Sequence, residues 1–375
     1  MIKRAYELEK IIMPEKVLVI YGPRQVGKTT LVKNFLGETK LRYRYDTGEN
    51  ARIQEYLSKS DLLKIQEYCA GYELLVIDEA QEIPNIGQSL KLMVDNIRDL
   101  RIIVTGSSSF ELAGAVGEPL TGRKRTRLLF TISQGELNNT LNDYELKEHL
   151  EEYLIYGSYP EIITAKNLSE KTEWIEEIVN SYLLKDILAH EKVKSPALLY
   201  DLLRLLAFQI GSLVSLNELS KSLKIDIKTV SRYLDLLEKS FVIKKIYGYS
   251  NNMRDEVTSK AKYYFIDNGI RNGVIRRFNP LNERDDIGQL WENFIVMERI
   301  KYHTYKGTRP VEWYFWRTYQ GYEIDLIEVE NDKLTAFEIK WDEKSKSRGL
   351  SIFQQHYNKS EGYIINKENY LKWLL

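Results

Sequence analysis

Gly22-Pro23-Arg24-Gln25-Val26-Gly27-Lys28-Thr29, followed by Thr30, decides how the rest of the chain is read. Two glycines with four residues between them, then Lys and Thr, form the pattern of a phosphate-binding loop. Each residue type has a physical reason. Gly22 and Gly27 permit backbone dihedrals closed to other residues, so that successive N–H groups turn inward toward phosphate oxygens. Lys28 supplies a cation for the outer phosphates, and the Thr29 hydroxyl is the expected magnesium ligand. The helix predicted to begin here points its positive end at the same anion.

The flanking sequence agrees. Val17-Leu18-Val19-Ile20-Tyr21 is a short apolar run rich in β-branched residues, suited to a buried parallel strand. Leu31-Val32 and Phe35-Leu36 then recur at helical spacing. Strand, glycine loop and helix in that order predict a nucleotide-binding core, with Gly22 through Thr30 as the binding residues.

Composition sets the frame around that core. A chain of 375 residues has room for two or three domains. Its 54 Lys and Arg balance 54 Asp and Glu, so no overall basic field favours nucleic acid, and any DNA contact must come from local patches. A single cysteine, Cys69, excludes a disulfide framework, and the four histidines form no zinc-spaced cluster. The amino-terminal stretch is charged early and resembles no secretory signal, and no apolar run approaches the roughly 20 residues of a membrane span. A cytoplasmic setting without membrane contact is expected.

Along the chain, residues 1 to 16 read as an amphipathic helix and Leu41–Asp46 as a second strand. Leu74-Leu75-Val76-Ile77-Asp78-Glu79 is an apolar run closed by two carboxylates. Asp78 is expected to support magnesium and Glu79 to polarise the attacking water. A helix over 86–99 leads to the strand Arg101-Ile102-Ile103-Val104 and to Thr105-Gly106-Ser107-Ser108-Ser109. In AAA+ ATPases a polar residue at this strand tip orients the water, and Ser107 or Ser108 matches that position. The basic run Arg123-Lys124-Arg125-Thr126-Arg127 offers either a solvated strand end or an arginine finger for a neighbouring subunit, with Arg123 the chosen residue.

From about 143 to 212 the pattern is helical, with Trp174-Ile175, Ile178-Val179 and Tyr182-Leu183 on one core-facing stripe. Ser215 and Asp226 then open two short helices, followed by strands at 241–246 and 261–266, the order of a winged helix. Its second helix exposes Lys228, Ser231, Arg232, Asp235 and Lys239. With an acid in that set and no Asn or Gln to read adenine, the sequence gives no ground for base-specific readout, and DNA contact and protein docking both stay open.

The last hundred residues hold a second signature. A hairpin of Tyr322–Ile327 with Lys333–Lys340 is expected to bring Asp325 beside Glu338, with Lys340 on the Glu338 face. Two close carboxylates repel unless a divalent cation lies between them, and oxygen ligands suit magnesium or manganese. Glu292, on a predicted helix at Leu290-Trp291-Glu292-Asn293-Phe294, is available to complete that site. Asp325 with Glu338-Ile339-Lys340 is the D…(D/E)-x-K arrangement of restriction-endonuclease-like enzymes, a pattern that a charge-paired hairpin also imitates.

Taken together, the phosphate loop, Ile77-Asp78-Glu79-Ala80-Gln81, Thr105–Ser108, Tyr156-Gly157-Ser158-Tyr159-Pro160-Glu161, Tyr264–Gly269, Leu290–Phe294, Glu323-Ile324-Asp325 and Glu338-Ile339-Lys340 resemble a widespread bacterial and archaeal family. Its members join an AAA+-type P-loop ATPase to a carboxyl-terminal domain of uncharacterised function. Ser158 departs from the glycine common there. The resemblance implies an α/β architecture. It comprises a parallel-sheet ATPase core over 1–137, a helical lid or linker over 138–212, a winged helix over 213–270, and a restriction-endonuclease-like α/β domain over 271–375. It implies ATP and Mg2+ as cofactors, with Lys28, Asp78, Glu79, Ser107 and Arg123 as the ATPase residues. Glu292, Asp325 and Glu338, with Lys340, make the nuclease-like metal site. The expected partners are DNA or a protein, and a second copy of the chain. The expected function is an Mg-ATPase whose nucleotide state controls a carboxyl-terminal half that binds DNA and cleaves it, or that docks a partner without cleavage.

Overall fold

The computed structural model describes residues 2–107, 119–183, 195–250, 260–307, 310–342 and 347–375. The chain divides into two compact units. One is Arg4–Thr131 with Lys239–Phe241, and the other is built chiefly from 132–238 and 242–375.

In the first unit β1 (Val17–Tyr21), β2 (Tyr43–Thr47), β3 (Leu74–Asp78), β4 (Arg101–Gly106) and β5 (Lys124–Leu128) form a sheet in the order β2-β3-β4-β1-β5. Every pairing is parallel. Parallel neighbours need crossover connections, and the helices Lys28–Glu38, Ala51–Ser58, Leu62–Cys69 and Ile86–Asn96 lie between the strands in sequence. The apolar runs of β1, β3 and β4 are buried almost throughout, as strands covered on both faces must be. Val19, Ile77 and Val104 share a core cluster with Leu57, Ile65 and Met93 from the helices. The helix expected before β1 shortens to Leu8–Ile11, because Pro14 biases the residue ahead of it away from helical dihedrals. The strand order has a functional consequence. β4 lies between β1 and β3, so the phosphate loop, Ser107 and Asp78-Glu79 all emerge along one edge of the sheet.

The second unit begins with helices Gln134–Leu137, Asp143–Glu148, Leu150–Tyr156, Pro160–Thr164, Leu168–Glu177 and Pro196–Phe208. Ile175, Ile178 and Val179 are buried, as a core-facing stripe requires. Helices Leu216–Leu223 and Ile227–Lys239 follow. Ser215 caps the first by accepting from the Glu218 N–H, and Asp226 accepts from the Thr229 N–H at 2.8 Å. Seven strands then make one sheet. They are β6 (Leu213–Val214), β7 (Ile243–Gly248), β8 (Ala261–Phe265), β9 (Glu312–Arg317), β10 (Glu323–Glu330), β11 (Lys333–Ile339) and β12 (Glu361–Ile365), in the order β12-β11-β10-β9-β7-β8-β6. The parallel pairing of β7 with β9, Tyr247 opposite Tyr314, joins the strands expected for the wing to those of the terminal hairpin. The expected boundary at 270/271 therefore coincides with no break in the sheet.

Three of the motifs quoted above meet inside this unit. Ser158 donates from N–H and Oγ to Asp267 Oδ2 at 2.9 and 3.2 Å, and the Gly269 N–H donates to Asp267 Oδ1 at 2.8 Å. The Asn293 amide clips the end of β8, accepting from Phe265 N–H at 2.8 Å and donating to Phe265 O at 2.9 Å. Lys301 reaches Ser158 Oγ at 3.2 Å and Glu298 at 2.7 Å. Buried polar groups must be paired, and these residues satisfy one another across the helical and sheet layers.

Candidate functional site

The phosphate loop has the backbone its sequence requires: Gly22 stands at φ +146° and Gly27 at φ +88°, the latter opening the Lys28–Glu38 helix. Lys28 is buried, and its Nζ donates to the Gly22 and Pro23 carbonyls at 2.9 and 2.7 Å. The ammonium is thus held by the loop through which it is expected to meet phosphate. Thr29 Oγ1 donates to Asp78 Oδ2 at 2.7 Å, which joins the start of that helix to the end of β3. The hydroxyl and the carboxylate are both hard oxygen donors, a set that suits magnesium.

Two neighbours not assigned a role from sequence complete the surroundings of Asp78. Tyr45, on β2, donates to Asp78 Oδ2 at 2.9 Å, and burial, then the Asp78 charge, pushes its phenol well above the ordinary range. Thr105, fully buried on β4, donates to Asp78 Oδ1 and accepts from the Glu79 N–H at 3.1 Å. Glu79 itself leaves the strand in a left-handed conformation, φ +49°. Its Oε2 accepts from Gln81 Nε2 at 2.6 Å, and the same nitrogen lies 3.5 Å from Ser107 Oγ. Ser107 is buried at the end of β4, and Ser108, the other residue considered for that position, lies outside the described residues.

Arg123 stands elsewhere. Val17 pairs with Lys124, and the Val17 N–H donates to Arg123 O at 2.9 Å, which puts Arg123 at the amino edge of the sheet, opposite the phosphate loop. Its Nε meets Asp95 Oδ1 at 2.6 Å. Within one chain Arg123 does not lie beside the phosphate loop.

The second unit brings the terminal carboxylates together. Pairing of Leu326 with Phe337 sets the hairpin register that carries Asp325 beside Glu338, and Asn331 and Asp332 turn the chain with φ +49° and +64°. Asp325 Oδ2 accepts from the Ile339 N–H at 2.7 Å, and Lys340 Nζ meets Glu338 Oε1 at 2.7 Å. At the centre, however, lies Lys262 from β8. It is 1% exposed, and its Nζ is 2.5 Å from Glu323 Oε1, 3.1 Å from Glu292 Oε1 and 4.0 Å from Asp325 Oδ1. Tyr264 also donates to Glu292 Oε1, at 2.7 Å.

Electrostatics follow from this packing. Burial works against the Lys262 charge, yet Glu292, Tyr264, Asp325 and Glu323 hold the ammonium protonated well above its usual range. Burial pushes the Glu292 carboxyl up to about 7, with Lys262 opposing and Asp325 adding to the rise. Burial likewise raises Asp325, and raises Glu338 with help from the Asp325 charge. Among the described residues no three His, Cys, Asp or Glu side chains are grouped to hold a metal ion. A lysine ammonium thus stands beside Glu292 and Asp325, two of the three expected metal ligands, while Glu338 pairs with Lys340. Periodicity gave no sign of it: Lys262 reads as an ordinary strand residue until the strand is seen to be buried along its whole length.

Three families match separate stretches of the chain. Residues 14–138 match an AAA domain, residues 147–281 a domain of unknown function (DUF8612), and residues 287–374 a second domain of unknown function (DUF4143). An uncharacterised protein of Mycobacterium tuberculosis is 28% identical over 341 residues, covering 90% of this chain and 73% of that protein. One from Haemophilus influenzae is 23% identical over 400 residues, covering 100% of this chain and 93% of its own. One from Methanocaldococcus jannaschii is 23% identical over 369 residues, covering 93% and 80%. A crystal structure of a Signal Transduction ATPase with Numerous Domains (STAND) protein with a tetratricopeptide repeat sensor, from Pyrococcus horikoshii, aligns with 13% identity and a TM-score of 0.28. That alignment takes in 76% of this chain and 43% of the other, so this chain spans less than half of it. No helix among the described residues is long and apolar enough to cross a membrane. The phosphate loop, the acid at the end of β3 and the AAA match agree: over residues 14–138 the amino-terminal unit is similar to a P-loop ATPase core of the AAA type.

Proposed function

We propose that the chain is an ATP-hydrolysing switch whose carboxyl-terminal half engages a partner without cleaving it. The observation that carries the ATPase reading is the meeting of Thr29, Asp78, Thr105 and Glu79 at adjacent strand ends beside Lys28. In this reading Lys28 binds the outer phosphates, Thr29 and Asp78 hold the magnesium of Mg-ATP, and Glu79 accepts a proton from the attacking water while Ser107 orients it. The bound ion would offset negative charge on the phosphates. Tyr45 and Thr105 keep Asp78 in one orientation. Arg123 would reach a nucleotide only in a second copy of the chain.

For the other half, Lys262 favours docking over cutting. A nuclease of the D…(D/E)-x-K type needs its carboxylates free to share a divalent cation, and here Asp325 faces the Lys262 ammonium while Glu338 pairs with Lys340. The helices Leu216–Leu223 and Ile227–Lys239 with β6–β8 follow the order of a winged helix, and Lys228, Arg232 and Lys239 are exposed on the second helix. DNA is therefore the first partner to test, through its phosphates and not its bases; a protein partner is the alternative.

The experiment measures ATP turnover and cleavage of plasmid and branched DNA, with magnesium or manganese, for wild type, Lys28→Ala, Glu79→Gln and Asp325→Ala. Turnover should fall about a hundredfold or more in Glu79→Gln, and DNA should stay intact throughout. Undiminished turnover in Glu79→Gln sinks the role given to that residue. Cleavage that disappears in Asp325→Ala sinks the non-cleaving reading and leaves the ATPase one standing.

A further inference from the structure

Gln81 lies in the Ala80–Glu82 turn that follows β3, two residues beyond Glu79. Its Nε2 donates to Glu79 Oε2 at 2.6 Å and stands 3.5 Å from Ser107 Oγ. One amide thus links the carboxylate at the end of β3 to the serine at the end of β4. The carbonyl oxygen of the same amide, Oε1, is buried and accepts no hydrogen bond. Buried acceptors are ordinarily satisfied by protein or by ordered water, so this one marks room for a donor beside Glu79 and Ser107.

Glu79 cannot choose its direction through its backbone. Its N–H is committed to Thr105 Oγ1 at 3.1 Å, its φ is +49°, and the strand end before it is tied to β2 where the Gly48 N–H donates to Asp78 O at 2.7 Å. The bond from Gln81 is what aims the carboxylate.

We propose that Gln81 is a second water-positioning residue of the nucleotide site, aiming Glu79 through Nε2 and accepting one O–H of the attacking water at Oε1. The inference rests on the ATPase reading. A primary amide suits the task because it carries two donor protons and an acceptor in one plane and does not titrate. In the step served, the water oxygen bonds to the γ-phosphorus and the bond to the β,γ-bridging oxygen breaks, its electron pair leaving on ADP. The water's other proton passes to Glu79, while Gln81 keeps both of its own.

The test compares kcat, KM and the Kd of a fluorescent ATP analogue in wild type, Gln81→Ala, Glu79→Gln and the double variant. Gln81→Met, close to the original volume, guards against a folding defect. Both Gln81 variants should lose about tenfold or more in kcat with Kd within about twofold of wild type. The double variant should fall no more than about twofold below Glu79→Gln, since groups that act as one unit are not additive. Unchanged kcat, a loss shared equally by Kd, or an additive loss in the double variant would each overturn the proposal. If turnover depends on Glu79 and not on Gln81, this inference alone fails. If wild type hydrolyses no ATP, the underlying reading fails with it.

Discussion

Lys262 Nζ stands 3.1 Å from Glu292 Oε1, an ion pair that ties β8 to the Ile287–Lys306 helix. Glu323 and Asp325 face the same ammonium from β10. Removing one partner of a buried pair leaves the others uncompensated, typically at about 3–5 kcal/mol. Lys262→Met should therefore lower the thermal midpoint sharply, and Mn2+ should restore part of the loss by taking over between the carboxylates. Thermal melts with and without Mn2+ read both effects. Wild type should show no Asp325-dependent response to the ion.

A second buried cluster gives a pH dependence. Asp286 Oδ2 meets Arg271 Nη1 at 2.5 Å, and its other oxygen accepts from Arg284 Nε at 2.8 Å. Burial pushes the Asp286 carboxyl up, but the bonds from Arg284 and Arg271 prevail and bring it down from 3.8 to about 2. The folded state then binds fewer protons than the unfolded chain. The stability this gives is present above pH 3.8 and is lost as the pH falls through about 2. Asp286→Asn should destabilise the protein at neutral pH by about 3–5 kcal/mol. It should also flatten the acid limb of an unfolding titration followed by circular dichroism.

Thr105 is the shared support of Asp78 and the Glu79 N–H. Thr105→Val keeps the shape and removes both bonds, each worth about 1–3 kcal/mol when a buried group is left unpaired. The expected result is a kcat reduced about tenfold or more, with ATP affinity changed less. Stopped-time phosphate release and equilibrium nucleotide binding measure the two separately.

Gly157 has φ +77° and ψ −159°, a region open in practice to glycine alone. A Cβ there would fall 1.8 Å from Asp267 Oδ1, the carboxylate that holds Ser158 and Gly269. Gly157→Ala should cost about 3 kcal/mol or more, strain and displacement together. Urea unfolding should show the fall in midpoint.

Much of the candidate nucleotide site was legible in the sequence because its parts are local. The loop from Gly22 to Thr30 is one continuous turn whose backbone is dictated by its glycines, and Asp78-Glu79 declares itself by ending an apolar run. Tyr45, Thr105 and Gln81 were not assigned roles, since a hydroxyl on a strand or an amide in a turn has no spacing signature until the sheet order brings β2, β3 and β4 side by side.

The terminal hairpin shows the same division more sharply. Alternation and the Asn331-Asp332 turn were enough to place Asp325 against Glu338, because register in a tight hairpin follows from its loop. They said nothing of Lys262, whose strand reaches Glu292, Glu323 and Asp325 only through packing between residues far apart in the chain. The sequence by itself determined where the glycine loop forms and which carboxylates share a hairpin, since both are written within a few neighbouring residues. Tertiary structure alone decided what charge sits beside Asp325 and Glu292, because burial and long-range pairing, and not spacing, choose the partner of an ion.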